Sequence, residues 1–272
     1  MNIGSQYDSD DPFKKAARLH QSRYRASVLK VDCCEYGNRL TETEGRALLN
    51  YYPALGVREA LRARYPDYSS ARDADMLRSE HIPFNLLAPL ANRPELLRNV
   101  FQTLCGIDFV GRCDMKMEWA PSPAQAHLGD MTSFDVYIQG RDSSGDLVGV
   151  GIEVKYTERG YRMGTLEASR VADPTSTYWR TTRDSGLFLN GDRSLLAGDD
   201  LRQIWRNHLL GLSMVLQGGI AKFVSLTLYP AGNQHFAHAL SGYAEHLTPS
   251  GRGTLFGRTF EHYISNGYMQ IP

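Results

Sequence analysis

The chain is poor in lysine, cysteine and long apolar runs, and it carries no net charge. A balance of 30 basic against 30 acidic residues removes the bulk positive field that holds many proteins to nucleic acid, so any such attraction must come from a local patch. Lysine stands only at Lys14, Lys15, Lys30, Lys116, Lys155 and Lys222, which makes each a rare event. The four cysteines, Cys33, Cys34, Cys105 and Cys113, lack the two-residue gap of a zinc knuckle or thioredoxin-like motif and read as reduced, structural thiols. No segment approaches the apolar length of a membrane span and the first twenty residues hold no apolar signal region, so the expectation is a cytoplasmic protein with no membrane partner. Repeats and low-complexity tracts are absent too. What remains is an ordinary globular composition, 42% hydrophobic, long enough to bury a large core.

The pattern from Asp11 to about Val110 is helical. Lys14 to Leu29 is a mixed basic stretch, Thr41 to Tyr51 opens with a capping-box pair, Thr41 and Glu44, and Pro94 to Leu104 has proline in the first turn. After Gly111 the character changes. Lys116 to Ala120, Ser133 to Gln139 and Leu147 to Lys155 read as three strands bounded by turn formers. Tyr156 to Gly198 is too long for a bare connection and is expected to be part-helical or a lid. A helix over Leu201 to Val215 follows, then a strand from Phe223 to Tyr229, with helical patterns around Gln234 to His246 and Leu255 to Tyr263. The expected organisation is a helical N-terminal part, 1–110, packed on a core at 111–272 as one continuous domain.

Between the second and third strand patterns, Arg141 to Asp146 is all turn formers, hence a hairpin loop. Centred near Ser144, it sets position n on one strand against roughly 288 minus n on the next. Asp135 then lies opposite Glu153. The strand period of two puts Glu153 and Lys155 on one face while Ile152 and Val154 enter the core on the other. Two juxtaposed carboxylates repel unless a cation lies between them, and oxygen ligands with room for water suit Mg²⁺, with Mn²⁺ able to substitute. Such a metal activates water and polarises a phosphate, and Lys155 offsets charge in the transition state. Glu118, beside Trp119 on the preceding strand, is a candidate third carboxylate, and Glu80 is a weaker one.

An acid, any residue and a lysine occur by chance roughly 0.7 times in a chain of this composition. Asp114 and Lys116 match the pattern too, but they lack an upstream partner strand. The bland alternative for Asp135, Glu153 and Lys155 is a cross-strand salt bridge of small worth. His208, on the apolar side of its helix, reads as a core histidine. His235 and His238 have zinc-like spacing but no third ligand nearby. Tyr178 and Trp179 fit packing of the long segment before base stacking, and Arg159, Arg162, Arg170, Arg180 and Arg183 are the best local source of phosphate attraction or else solubilising charge.

These residues resemble the PD-(D/E)XK nuclease superfamily, and more narrowly a bacterial restriction-endonuclease-like group. The phrases that carry the likeness are Gly-Ile-Glu-Val-Lys-Tyr-Thr-Glu at 151–158, Ser-Phe-Asp-Val at 133–136, Ile-Pro-Phe-Asn-Leu-Leu at 82–87 and Gln-Ile-Trp-Arg-Asn-His-Leu-Leu at 203–210. The resemblance implies an α/β (α+β) fold: a restriction-endonuclease-like core of helix, three-strand meander, helix and strand, here with a helical N-terminal extension. It implies Asp135, Glu153 and Lys155 as the catalytic set, Glu118 as an extra metal ligand, and Gln203 and Arg206 as substrate-facing groups. Phe134 stands where proline often precedes the aspartate. The expected activity is Mg²⁺-dependent hydrolysis of DNA, restriction-like or defence-related, a homodimer being the usual way to cut both strands. The rivals are a catalytically inactive nucleic-acid-binding member of the fold and an RNA-directed nuclease.

Overall fold

The computed structural model describes residues 2–190 and 194–266. The chain divides into two compact units, Met1–Pro89 with Val154–Glu158, and Leu90–Glu153 with Arg159–Pro272.

The first unit is helical. Helix α1 (Pro12–Tyr24) starts where the Asp11 carboxylate accepts from the Lys14 amide at 3.0 Å, with Pro12 in the first turn, and it runs into a wider turn over Arg25–Leu29. Helices α2 (Glu42–Arg46), α3 (Val57–Arg64) and α4 (Ile82–Leu87) follow. The expected capping box does not form: Thr41 has the N-cap backbone conformation but its side chain makes no cap bond. Nor does that helix reach Tyr51, because Leu48 turns left-handed at φ 58°. Tyr51, Val57, Leu61, Phe84 and Leu87 form this unit's apolar interior.

The second unit opens with α5 (Pro94–Cys105), stopped by Gly106 at φ 69°. Three strands follow, β1 (Phe109–Trp119), β2 (Phe134–Asp142) and β3 (Leu147–Val154). Strand β1 begins seven residues before the expected Lys116, because the register shifts between Val110 and Asp114 around Gly111 (φ 73°) and this breaks the alternation that marks a strand in sequence. Next come α6 (Thr165–Ala172), α7 (Thr177–Asp184), α8 (Arg202–Leu216), β4 (Lys222–Tyr229), α9 (Gln234–Glu245), α10 (Pro249–Arg252), β5 (Leu255–Thr259) and α11 (Phe260–Ser265). The segment 156–198 is thus part-helical, though 191–193 lie outside the described residues. The helix expected from Leu255 is corrected: Leu255–Thr259 is a strand, drawn into parallel pairing by the free edge of β4, and helix begins only at Phe260. Gly257 permits this, since a Cβ there would stand 2.6 Å from Leu240. The sheet is mixed and five-stranded, in the order β1-β2-β3-β4-β5.

Both faces of the meander are covered, so the split into one chemical and one structural face is too simple. Val136, Ile138, Val148, Val150, Ile152 and Val154 are all buried. The other face, with Tyr137, Gly149 and Gly151, belongs to the core that α8 completes through Ile204, Trp205, Leu209 and Leu212. Close approach depends on missing side chains. A Cβ at Gly211 of α8 would meet the Phe223 ring at 2.1 Å, and one at Gly151 would meet Phe134 at 2.4 Å. His208 lies wholly inside this core, with Nδ1 3.0 Å from the Tyr243 hydroxyl and Nε2 3.0 Å from Thr254 Oγ1. Burial pushes its pKa down to about 3. Among the described residues no helix is long and apolar enough to cross a membrane.

Gly211→Ala should cost about 1–3 kcal/mol in urea unfolding, an overpacking cost. Adding Phe223→Leu, which removes the ring it strikes, should recover part of that; additive losses would refute the clash. A second expectation concerns acid. His208 binds its proton more readily unfolded than folded, so its contribution to stability is full above about pH 6.5 and is lost as pH falls toward about 3. The slope of unfolding free energy against pH should drop in His208→Gln by up to about 1.4 kcal/mol per pH unit between those limits.

Candidate active site

The β2–β3 ladder pairs Val136 with Ile152, Tyr137 with Gly151 and Arg141 with Leu147, so paired positions sum to 288. One residue further along the same register, Asp135 stands against Glu153. On the other side of β2, Met117 pairs with Val136 and Trp119 with Phe134, which sets Glu118 at the level of Asp135. Glu118 nonetheless has left-handed backbone, φ 47°, unusual for a residue with a Cβ and costly by roughly 1–2 kcal/mol. All three acids are half-buried. The look-alike pair behaves differently: Asp114 faces Gln139, Lys116 faces Tyr137, and both are exposed with no acid opposite.

Helix α8 supplies two donors to Glu153. Gln203 Nε2 donates to Glu153 Oε1 at 2.7 Å, and Asn207 Nδ2 donates to Oε2. Both carboxylate oxygens are therefore oriented by amides spaced one helical turn apart. Asn207 is the residue that sequence reasoning missed. Its signal was present: Gln203, Asn207 and Gly211 form an i, i+4, i+8 stripe of polar and small residues on a helix otherwise rich in large apolar ones.

Two residues beyond Glu153 the chain reaches Lys155, which is 8% exposed. Within the first unit it neighbours Glu158. Burial alone would raise the Glu158 pKa, but backbone amides of Tyr156 and Ser79, together with the Lys155 charge, bring it below the usual carboxylate range. The Ser79 amide donates to Glu158 Oε1 at 2.9 Å and Thr157 is buried beside Leu77. Glu80 turns instead to Arg78, 3.0 Å away on the surface.

Arg206 is engaged away from Glu153. Its guanidinium reaches Glu167 at 3.2 Å and Asp130 at 3.7 Å, donates to Thr132 Oγ1 at 2.7 Å, and bonds the Tyr161 hydroxyl. One turn earlier the fully buried Arg202 meets Glu167 at 3.0 Å, Asp199 at 2.6 Å and the Tyr161 carbonyl at 2.9 Å. These ions tie the segment after β3 to α8. Asp130 would be raised by burial, yet hydrogen bonds from Tyr178 and Thr132 and the charge of Arg206 lower its pKa. The aromatics of the segment pack: Tyr178 is buried, and Trp179 lies 4.6 Å from the Trp205 ring while donating to the Val171 carbonyl. Arg170 is bound to the carbonyls of Leu128 and Gly129, whereas Arg159, Arg162, Arg180 and Arg183 include the exposed charges of this stretch. His235 faces Asp200 at 3.9 Å.

Among the described residues no group of three or more His, Cys, Asp or Glu is placed to hold a metal ion. Glu118 has left-handed backbone, and Asp135 and Glu153 lie one step beyond the paired Val136 and Ile152. A pair of oxygen ligands is what Mg²⁺ commonly takes from protein, with water and substrate phosphate completing its shell. The residues present fit such an ion.

A mixed sheet in sequential order, paired acids at the ends of its second and third strands, and a following helix that orients one of them define an α/β protein of restriction-endonuclease-like fold. A family model for the PD-(D/E)XK nuclease superfamily matches residues 8–267, and the chain belongs to that superfamily. No curated protein and no solved structure matches it.

The amide contacts are measurable without reference to activity. A double-mutant cycle between Asn207→Ala and Glu153→Gln should give a coupling of about 1–2 kcal/mol in thermal or urea unfolding. Additivity within about 0.3 kcal/mol would mean that Asn207 does not orient Glu153.

Proposed function

We propose that this protein is a divalent-metal-dependent endonuclease that hydrolyses DNA phosphodiesters, in a restriction-like or defence setting in the cytoplasm. The observation that carries the reading is Asp135 in register with a Glu153 whose two oxygens are oriented by Gln203 and Asn207, with Lys155 two residues on. Asp135 and Glu153 would hold Mg²⁺, or Mn²⁺ in its place, and Glu118 is the further carboxylate at that level. The bound ion supplies Lewis acidity toward a phosphoryl oxygen and lowers the pKa of coordinated water.

The protein's own groups do the rest. Gln203 and Asn207 keep Glu153 pointing one way without neutralising it, so no reorganisation is needed when charge develops. Lys155 orients the attacking water and its ammonium offsets the extra negative charge of the pentacovalent transition state. Arg206, held in its network, fixes α8 and through it Gln203, which makes it a positioning residue as well as a candidate for phosphate contact. A homodimer would bring two such centres to the two strands.

Purified protein should nick or cut DNA only with a divalent cation. Asp135→Ala, Glu153→Ala and Lys155→Ala should each lower the rate by at least about a hundredfold, and Gln203→Ala by about ten- to a hundredfold, as for residues that orient a metal ligand. Full activity in Glu153→Ala would sink the assignment. RNA cleaved in preference to DNA by the same preparation would redirect the substrate, and metal-independent binding without cleavage would identify a non-catalytic member of the fold.

A further inference from the structure

A cavity of about 270 Å³ in the first unit has chemistry that the nuclease reading does not use. The ends of α2 and α3, the turn through Tyr65 and Tyr68, and the helical turn Ser70–Ala74 line it. Its floor includes the apolar side chains of Leu48 and Leu61. Two aromatic rings and three guanidinium groups dominate the rest. The guanidiniums of Arg72 and Arg64 lie 4.3 and 4.7 Å from the centre of the Tyr65 ring, and that of Arg46 lies 4.5 Å from the centre of the Tyr68 ring.

The charges in this cavity are not equivalent. Arg72 is spent structurally: it forks onto the fully buried Asp73 with two bonds of 2.8 Å and donates to the Asp67 carbonyl at 2.7 Å. Asp73 in turn accepts from the Tyr51 hydroxyl and the Ser69 amide, so its charge is consumed inside. Among the described residues Arg46 pairs with Glu42, in a bridge exposed on both sides and easily exchanged. Arg62 is exposed and the described residues give it no carboxylate within bonding distance, the exposed Asp67 included. It also lies one turn from Arg58 on α3, a like-charge pair that the helix would relieve by taking up an anion. Burial, then the Arg62 charge, lowers the Arg58 pKa, and Glu59 offsets this only in part.

Two exchangeable guanidiniums therefore stand beside two tyrosine rings over an apolar floor. Guanidinium groups match phosphate oxygens, and tyrosine faces stack on planar bases. A simple anion would meet the charges alone, and an apolar ligand would leave them unmet. We propose that this pocket binds one nucleotide, its phosphate on Arg46 and Arg62 and its base against Tyr65 and Tyr68. The site concerns binding and not cutting, and it does not rest on the nuclease assignment.

Full-length protein in excess chelator, where no metal-dependent cleavage occurs, is titrated calorimetrically with a nucleoside 5′-monophosphate and with a short single-stranded oligodeoxynucleotide. Wild type should bind at least one of them. Arg62→Ala should weaken binding about tenfold, the loss of one charge-assisted hydrogen bond, and Arg62→Glu should abolish it. A loss seen with both ligands identifies a free nucleotide as sufficient, and a loss seen with the oligonucleotide alone identifies a nucleotide within a strand; either supports the site. No binding of either ligand, undiminished binding by Arg62→Glu, or orthophosphate competing as well as the nucleotide would overturn it.

Discussion

The geometry of the second unit depends on how closely α8 can approach β3. Three positions without a side chain allow it, Gly149 and Gly151 on the strand and Gly211 on the helix, and the rings of Phe223, Tyr137 and Phe134 occupy the room they leave. Interiors are packed like crystals, so an added carbon at any of these points has no space to enter without displacing one of those rings. Gln203 and Asn207 lie two turns and one turn from Gly211 on the same stripe. Their amides reach Glu153 because the helix is already seated at the glycines. The orientation of one carboxylate is thus a consequence of core packing some distance along the same two elements.

A second constraint acts on another stripe of α8. Arg202 and Arg206 are drawn into the protein by Glu167, Asp130 and the two oxygens of Tyr161, and these partners come from the connections before β2 and after β3. Buried ion pairs contribute little net stability, since desolvation offsets most of the attraction, but breaking one is expensive. Their effect is specificity of placement. Glu167 is shared by both arginines, so α6 and the chain leading to it have one favourable position against α8.

The periodic signals were the legible ones. Helix α8, strand β4 and helix α9 were readable because their apolar residues repeat at one period and their ends carry Gly or Pro. The hairpin register was readable because Arg141 to Asp146 contains nothing to bury, which fixes the centre of the turn and hence the pairing of Val136 with Ile152, one step from Asp135 and Glu153. Other features depended on partners that are distant in sequence. Strand β5 exists because β4 offers it a free edge, and the start of β1 is hidden by a shift around Gly111. The left-handed backbone at Glu118 has no signature in the residue itself, so strand alternation does not show it. Asn207 was obscured by the apolar stripe around it, and Arg206 looked like a free cation because Glu167 and Asp130 are 39 and 76 positions away in the chain.

The two stripes of α8 carry different kinds of donor. An arginine beside a carboxylate orients it and also cancels its charge, which suits Glu167 and Asp130, whose role is to hold α8 and its neighbours together. An amide orients a carboxylate and leaves its charge in place. The two donors that α8 sends to Glu153 are amides, even though positions 202 and 206, adjacent to 203 and 207, are arginines. One side of the helix cancels the charge of the acids it holds, and the other fixes Glu153 in direction through neutral amides. Exchanging the two sets of donors would remove that difference, so the character of this helix lies in where its neutral and charged donors fall around a single turn.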